Sequence, residues 1–177
     1  MQICRRRFEV MWSEIIGKFK GMPSQEKVVR LLLERGFQVD GQGHVVSGRI
    51  EIPHTQIARE VGVDRRVVDA TTEMILRDET LKRVFMNIHS IASFKDVAPL
   101  LGLGVVIITP DNAQNIGILS DVTSVISRFN LSIRQAVTDD PFFTDEPKMT
   151  VITNDVIPGE LVSELRKLKS VKSVTIQ

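Results

Sequence analysis

The sequence predicts a mixed α+β protein of two domains, the first mostly helical and the second a sheet covered by two helices. Two observations support this prediction. Around Gly62, two short stretches with apolar residues at helical spacing follow each other with only a three-residue turn between them. Beyond Gly104, the pattern changes to the order strand, helix, strand, strand, helix, strand. A length of 177 residues accommodates two small domains.

Residues 1–22 predict an N-terminal amphipathic helix, because apolar side chains recur at spacings of three to five with charged residues between them. Such an apolar face needs a partner. The partner is either the rest of the same chain, which we prefer, or the same helix of a second subunit. The residues of this face are Ile3, Phe8, Met11, Trp12, Ile15, Ile16 and Phe19.

Residues 23–90 are predicted to form the first domain. Gly36 ends an apolar helical pattern, and Pro53 ends a short β-prone run, since proline cannot continue a central strand. The elements expected here are a helix over about 25–35, a glycine-rich hairpin or loop over 37–48, a strand over 49–52, two helices between His54 and about Leu76, and a strand over 81–88.

The turn between the two helices has the chemistry of a tight corner. Ala58 is small enough to let the helices approach, and Gly62 can adopt the left-handed backbone conformation. Asp64 can cap the second helix with its carboxylate. This segment resembles the helix-turn-helix of microbial transcription regulators, and the predicted strands 49–52 and 81–88 resemble those of its winged variety.

This resemblance implies binding to double-stranded DNA. Arg65 and Arg66, at the start of the second helix, would face the major groove, while Arg59 or His54 would approach phosphate. The alternative is a solvated helix end on a corner that only packs, since helix-turn-helix folds also bind proteins. Carboxylates further along the same helix weaken the attraction to DNA.

Residues 91–103 are predicted to form a linker with a short helix, and residues 104–177 the second domain. The run 104–109 is continuously apolar, which predicts a central strand buried on both faces. The element order β-α-β-β-α-β predicts a ferredoxin-like fold with both helices on one face of an antiparallel sheet. The expected elements are strand 104–109, a helix through Ile118 and Phe129, strands 132–137 and 148–153, a helix opened by Pro158 and Gly159, and strand 171–176.

A further motif lies between the first strand and the first helix of this domain. Residues 111–119 contain Asp-Asn-Ala-Gln-Asn-Ile-Gly-Ile-Leu, and residues 130–134 lead into the second strand with Asn-Leu-Ser-Ile-Arg. These segments resemble the signature and the strand-entry turn of the ACT domain family. The whole chain resembles an archaeal-type regulator of amino-acid metabolism with an N-terminal helix-turn-helix and a terminal ACT domain.

The ACT resemblance implies an amino-acid effector bound at the joint of two domains paired side by side, and hence a homodimer or higher homo-oligomer. The amides of Gly117 and Ile118, at a helix N-terminus, can receive a carboxylate. Serine-sensing members have other residues at several of these positions, which leaves the effector open, and Gly117 could alternatively only shape a turn. The effector-binding residues expected are Gln114, Asn115, Ile116, Gly117, Ile118 and Ser132.

Cysteine and histidine content argues against a disulfide framework or a metal site. The chain has one cysteine, Cys4, and its three histidines have no metal-ligand spacing. Residues 140–147 connect two strands and are interpreted as a solvated loop tip. The alternative is that the carboxylates of residues 139–140 and 145–146 hold a divalent cation. No phosphate loop, nucleophile elbow or dinucleotide fingerprint is present. We therefore expect no cofactor and no enzymatic activity.

Charge and hydropathy place the protein in the cytoplasm without a membrane partner. No apolar run approaches the roughly 18 residues of a spanning helix. Glu9 and Glu14 interrupt the apolar pattern after the arginine cluster 5–7, which argues against a signal peptide. Residues 1–96 hold 16 Lys and Arg against 13 Asp and Glu, and residues 97–177 hold 7 against 9, so the basic bias of the first half is mild.

These observations lead to the hypothesis of a ligand-responsive transcription regulator of amino-acid metabolism. Effector binding to the ACT domains would change the relative placement of two helix-turn-helix units on DNA. The alternative is a regulatory subunit that does not bind DNA and gives amino-acid feedback to a biosynthetic enzyme.

Overall fold

The structure is a computed structural model that describes residues 12–177 of the 177-residue chain. The chain divides into two compact units, Met1–Ile91 and Ala92–Gln177. The first unit combines helices with a three-stranded sheet, and the second contains a four-stranded sheet. The predicted α+β class is confirmed. None of the helices between residues 12 and 177 combines the length and the apolar composition that a bilayer crossing requires.

The described part of the first unit contains five helices and three strands. The strands form one antiparallel sheet in the order β1-β2-β3, inserted between the second and third helices. The elements are α1 (residues 12–17 as described), α2 (Pro23–Arg35), β1 (Gln38–Val39), β2 (Val45–Ser47), β3 (Ile50–Ile52), α3 (His54–Val61), α4 (Arg65–Arg77) and α5 (Glu79–Asn87).

The N-terminal helix buries apolar side chains within this single chain. Ile15 and Phe19 are almost completely buried. Because no second subunit is needed for this burial, the chain itself supplies an apolar partner, as the preferred prediction stated. Ile3, Phe8 and Met11, which were assigned to the same face, lie outside the described residues.

The prediction of a strand over residues 81–88 is wrong, because residues 81–87 lie in helix α5 (Glu79–Asn87). A strand would place Arg83 on the same face as the apolar Leu81 and Phe85. The helix instead turns Arg83 to solvent and buries Leu81 and Phe85 completely. The strand expected after the second corner helix in a winged fold is therefore absent from Glu79–Asn87, and the three-stranded sheet precedes the helix pair in the chain.

Asp78 forms the junction between α4 and α5. Its carboxylate caps α5 by accepting hydrogen bonds from the backbone amides of Thr80 and Leu81, both at 3.0 Å. The ammonium of Lys18 pairs with the same carboxylate. These contacts lower the pKa of Asp78, and the hydrogen bond from Lys18 is the largest cause. The Asp78 carboxyl group therefore stays ionised, and its ion pair joins the segment after α1 to the start of α5.

The second unit has the predicted β-α-β-β-α-β order. Its four strands form an antiparallel sheet in the order β5-β6-β4-β7, which is the ferredoxin-like arrangement. The elements are a short 3-10 turn (Pro99–Leu101), β4 (Val105–Pro110), α6 (Ile118–Arg128), β5 (Ile133–Thr138), β6 (Met149–Thr153), α7 (Gly159–Leu165) and β7 (Val171–Ile176).

The predicted central strand is confirmed, because β4 is buried on both faces of the sheet. On one face, Val106 and Ile108 pack in a core with apolar residues of α6 and α7, so both helices cover the same side. On the other face, Val105 and Ile107 pack against Ala98. The side-chain amide of Gln135 also donates to the Ala92 carbonyl at 2.7 Å, so part of the segment before β4 covers the second face.

Candidate functional site

Gly117 begins helix α6 and is open to a ligand. Its φ of 93° lies in the left-handed region that favours glycine, and a Cβ atom added at this position would meet no heavy atom within 4 Å. The first amides of a helix have no acceptor within that helix, and Gly117 has no side chain to cap them. The backbone at this corner can therefore approach an anionic group of a ligand.

A cavity of about 460 Å³ lies at this corner. Three of the predicted effector residues, Asn115, Gly117 and Ile118, line it. The opposite wall comes from the connection between β5 and β6, which supplies residues 138–141 and 147–149. The neck of this connection is closed by Asp139 and Lys148, whose backbone atoms form a 2.8 Å hydrogen bond. The arrangement can enclose a small molecule between two loops of the second unit.

Sequence reasoning missed the wall formed by the β5–β6 connection and interpreted residues 140–147 as a solvated loop tip. The directions of the strands could have located this wall. Strands β4 and β5 both run antiparallel to β6, so their C-terminal ends lie at the same end of the sheet. The loops that follow β4 and β5 therefore meet. Near this end of the sheet, Ile108 of β4 and Thr138 of β5 both pair with Met149 of β6.

The other predicted effector residues lie elsewhere. Gln114 lines an adjoining cavity of about 470 Å³ together with Asp111, Asp145 and Glu146. Ile116 is 89% exposed and lines neither of these cavities. The predicted site is therefore only partly assembled around Gly117.

Ser132 lies at the opposite end of the sheet from Gly117. Its backbone amide donates to the Asn154 side chain at 2.8 Å, where β5 begins beside the end of β6. Gly117 instead follows the C-terminal end of β4. Within one chain, the structure therefore does not bring Ser132 and Gly117 together, because strand direction places them at opposite ends of the strands.

In the first unit, the structure contains the two-helix corner that the sequence predicts. Gly62 ends α3 with a φ of 70°, and the amide of Val63 donates to the carbonyl of Ala58 at 2.9 Å. Asp64 caps α4 through a 2.8 Å hydrogen bond from the Arg66 amide. Ala58 is buried between the elements, as a close helix approach requires.

The predicted DNA-contacting residues differ in their surroundings. Arg59 and Arg66 are exposed. The Arg65 side chain is 65% exposed, and its Nε atom lies 3.5 Å from Oδ2 of Asp69. The second turn of α4 thus places a carboxylate beside the first arginine of the helix.

His54 does not face outward as the phosphate-contact prediction requires. Only 14% of its side chain is exposed, and its Nδ1 atom lies 2.6 Å from Oδ1 of Asp69. Its Nε2 atom is buried and has no hydrogen-bond partner among the described residues. Pairing with a carboxylate directs the imidazole inward, so His54 joins the start of α3 to α4 in place of contacting phosphate.

A cavity of about 610 Å³ adjoins this cluster and has mixed charge. It is lined by Arg65, Asp69 and His54, and also by Glu51 of β3 and Glu73 of α4. The carboxylates on this side reduce the positive potential that a nucleic-acid surface needs.

Comparison with known proteins gives limited likenesses. No protein-family model and no curated protein matches the chain. Among solved structures, the crystal structure of the ACT domain from GTP pyrophosphokinase of Chlorobium tepidum is 25% identical, with 42% of this chain and 95% of that chain covered and a TM-score of 0.31. The solution structure of the same domain is 23% identical, covers 42% of this chain and 83% of that chain, and has a TM-score of 0.30. The structure of a glycine-to-threonine mutant of Rv3291c is 14% identical, covers 86% of this chain and 89% of that chain, and has a TM-score of 0.28. These likenesses assign no family to the chain.

Proposed function

We propose that this chain is a ligand-responsive transcription regulator of amino-acid metabolism, which acts by binding and not by catalysis. An ACT-type second unit binds an amino-acid effector, and the first unit binds double-stranded DNA. The observation that carries the proposal is the cavity of about 460 Å³ at Gly117, beside the uncapped start of α6.

The chemistry of this cavity suits a small zwitterion. The amides at the start of α6 have no side-chain cap, and they favour a carboxylate because the helix dipole places partial positive charge there. Asp139, on the facing wall, supplies a carboxylate that suits an ammonium group, and Leu119 and Met149 add apolar surface. The volume lies within the usual range of small-molecule sites.

Pairing of two copies through the second unit is part of the proposal. The sheet ends in two edge strands, β5 and β7, and neither has a further strand on its outer side in the described chain. Edge strands of this kind can pair with another chain. Ser132, at the start of β5, contributes to an effector site in this arrangement only if a second copy places it there.

The effector site is tested by thermal denaturation of the full chain with each of the twenty amino acids. A ligand at about 100 times its Kd adds about 2.7 kcal/mol of stability. We expect Gly117→Leu to abolish this gain, because its side chain projects into the space that the ligand occupies.

The matched control is Gly102→Leu, since Gly102 also has a positive φ of 71° and open space around it. Both variants are expected to lose about 1–2 kcal/mol from backbone strain. Only Gly117→Leu should lose the effector response. Equal ligand stabilisation in both variants would place the effector elsewhere.

DNA binding is tested by titrating the full chain against duplex DNA at several salt concentrations. We expect the Kd to rise steeply between about 50 and 200 mM salt, because arginine–phosphate contacts release counterions. The phosphate contacts are assigned to the exposed side chains of Arg59 and Arg66 at the corner.

The alternative is a regulatory subunit that does not bind DNA. The carboxylates of Asp69 and Glu73 on α4 favour this reading of the first unit, because they offset the arginines. Absence of duplex binding at about 50 mM salt, with an intact amino-acid response, would support the alternative over DNA binding.

A further inference from the structure

We infer that Asp69 orients Arg65 to read a guanine base in the major groove, an inference that rests on the proposed DNA-binding function. Arg66 and Arg59 then serve as contacts to phosphate. The three arginines of the corner would therefore divide into one residue that sets sequence preference and two that supply general affinity.

The orientation of Arg65 follows from which of its nitrogens faces Asp69. The Nε atom lies 3.5 Å from Oδ2 of Asp69, one helical turn further along α4. Because this ion pair lies on the Nε side of the guanidinium, the two terminal amino groups of Arg65 remain for another partner. With 65% of the side chain exposed, these groups are accessible to a ligand of the first unit.

The Asp69 carboxylate that orients Arg65 is itself fixed by a second contact, with His54. Oδ1 of Asp69 lies 2.6 Å from Nδ1 of His54, whose ring is largely buried. One carboxylate thus joins the first residue of α3 to the first residue of α4. A fixed carboxylate limits the rotamers of the arginine it pairs with, and this reduces the ordering cost when a ligand binds.

Guanine is the base that can accept from both terminal amino groups of Arg65. Its O6 and N7 atoms are adjacent acceptors in the major groove, and a guanidinium can donate to both at once. Arg66 lacks such support, because no carboxylate among the described residues forms an ion pair with it. Arg66 is exposed, and an arginine that no carboxylate holds suits a phosphate group, which can be contacted from many directions.

The test uses the full chain and a pool of duplexes with a random central segment, from which bound sequences are selected and sequenced. The wild-type chain is expected to enrich a G·C pair at one fixed position of each half-site. Arg65→Lys keeps the positive charge but removes the paired donors of the guanidinium. We expect its general affinity for DNA to remain and its preference for the G·C pair to fall by about 5- to 150-fold.

Two further comparisons separate orientation from charge. Asp69→Asn and Glu73→Gln each remove one negative charge from α4, and Glu73 pairs with Arg77 instead of Arg65. Both should raise affinity for all sequences, but only Asp69→Asn should relax the G·C preference. Arg66→Ala should weaken binding uniformly and reduce the salt slope by about 1.

A G·C preference unchanged in Arg65→Lys, or relaxed equally by Asp69→Asn and Glu73→Gln, overturns the inference while leaving DNA binding intact. A wild-type chain that binds no duplex overturns both the inference and the proposed function. Thermal denaturation of each variant confirms that a lost preference reflects the site and not an unfolded first unit.

Discussion

Phe85→Ala is expected to lower the free energy of unfolding of the first unit by about 3–5 kcal/mol. Phe85 is completely buried in α5, four residues after the equally buried Leu81. Removal of its ring leaves a cavity that the surrounding helices can close only in part, so transfer free energy and packing contacts are both lost. Urea denaturation of the full chain, followed by circular dichroism, measures the change.

The matched control for this truncation is Met86→Ala, at the next position of the same helix. Met86 is 40% exposed, and the variant is expected to change stability by about 0.5 kcal/mol or less. Similar losses in the two variants would contradict the placement of Phe85 in the core and Met86 on the surface.

Gly36→Ala is expected to destabilise the first unit by roughly 2–5 kcal/mol, because it combines backbone strain with overpacking. Gly36 ends α2 with a φ of 64°. An added Cβ would lie 2.7 Å from backbone atoms of His89 and Ser90, which follow α5. The hydroxyl of Ser90 also bonds to the Arg35 carbonyl at 2.6 Å, so the two segments cannot separate without losing this contact.

Gly62→Ala is the control for strain alone. Its φ of 70° is similar, but nothing lies within 4 Å of the added carbon. A loss of about 1–2 kcal/mol is expected. Equal losses of stability for the two variants in thermal or chemical denaturation would show that the contact of the added Cβ with His89 and Ser90 adds no cost to backbone strain.

Elements with strong local patterns could be predicted from the sequence. The two-helix corner follows from Ala58, Gly62 and Asp64, whose requirements of size, backbone conformation and capping are each satisfied within a few residues. The central strand β4 follows from its uninterrupted apolar run. In α5, the local pattern was present but misinterpreted, since the spacing of Leu81 and Phe85 fits both periods and only the exposed position of Arg83 separates them.

The candidate sites depended on contacts between distant segments. The pairing of His54 with Asp69 joins positions fifteen residues apart, and it turns an expected phosphate contact inward. The cavity at Gly117 requires the loop after β4 to meet the loop after β5, and strand direction decides which loops meet. The same direction places Ser132 at the other end of the strands.

Short-range chemistry therefore accounts for the helices, the turn and most strands of this protein, because periodicity, capping and glycine conformations act within a few residues. The partners of charged and polar side chains were set by folding, because a carboxylate pairs with whichever donor the packed chain brings to it. A single sequence contains both kinds of information, but only the first kind is visible as a pattern along the chain.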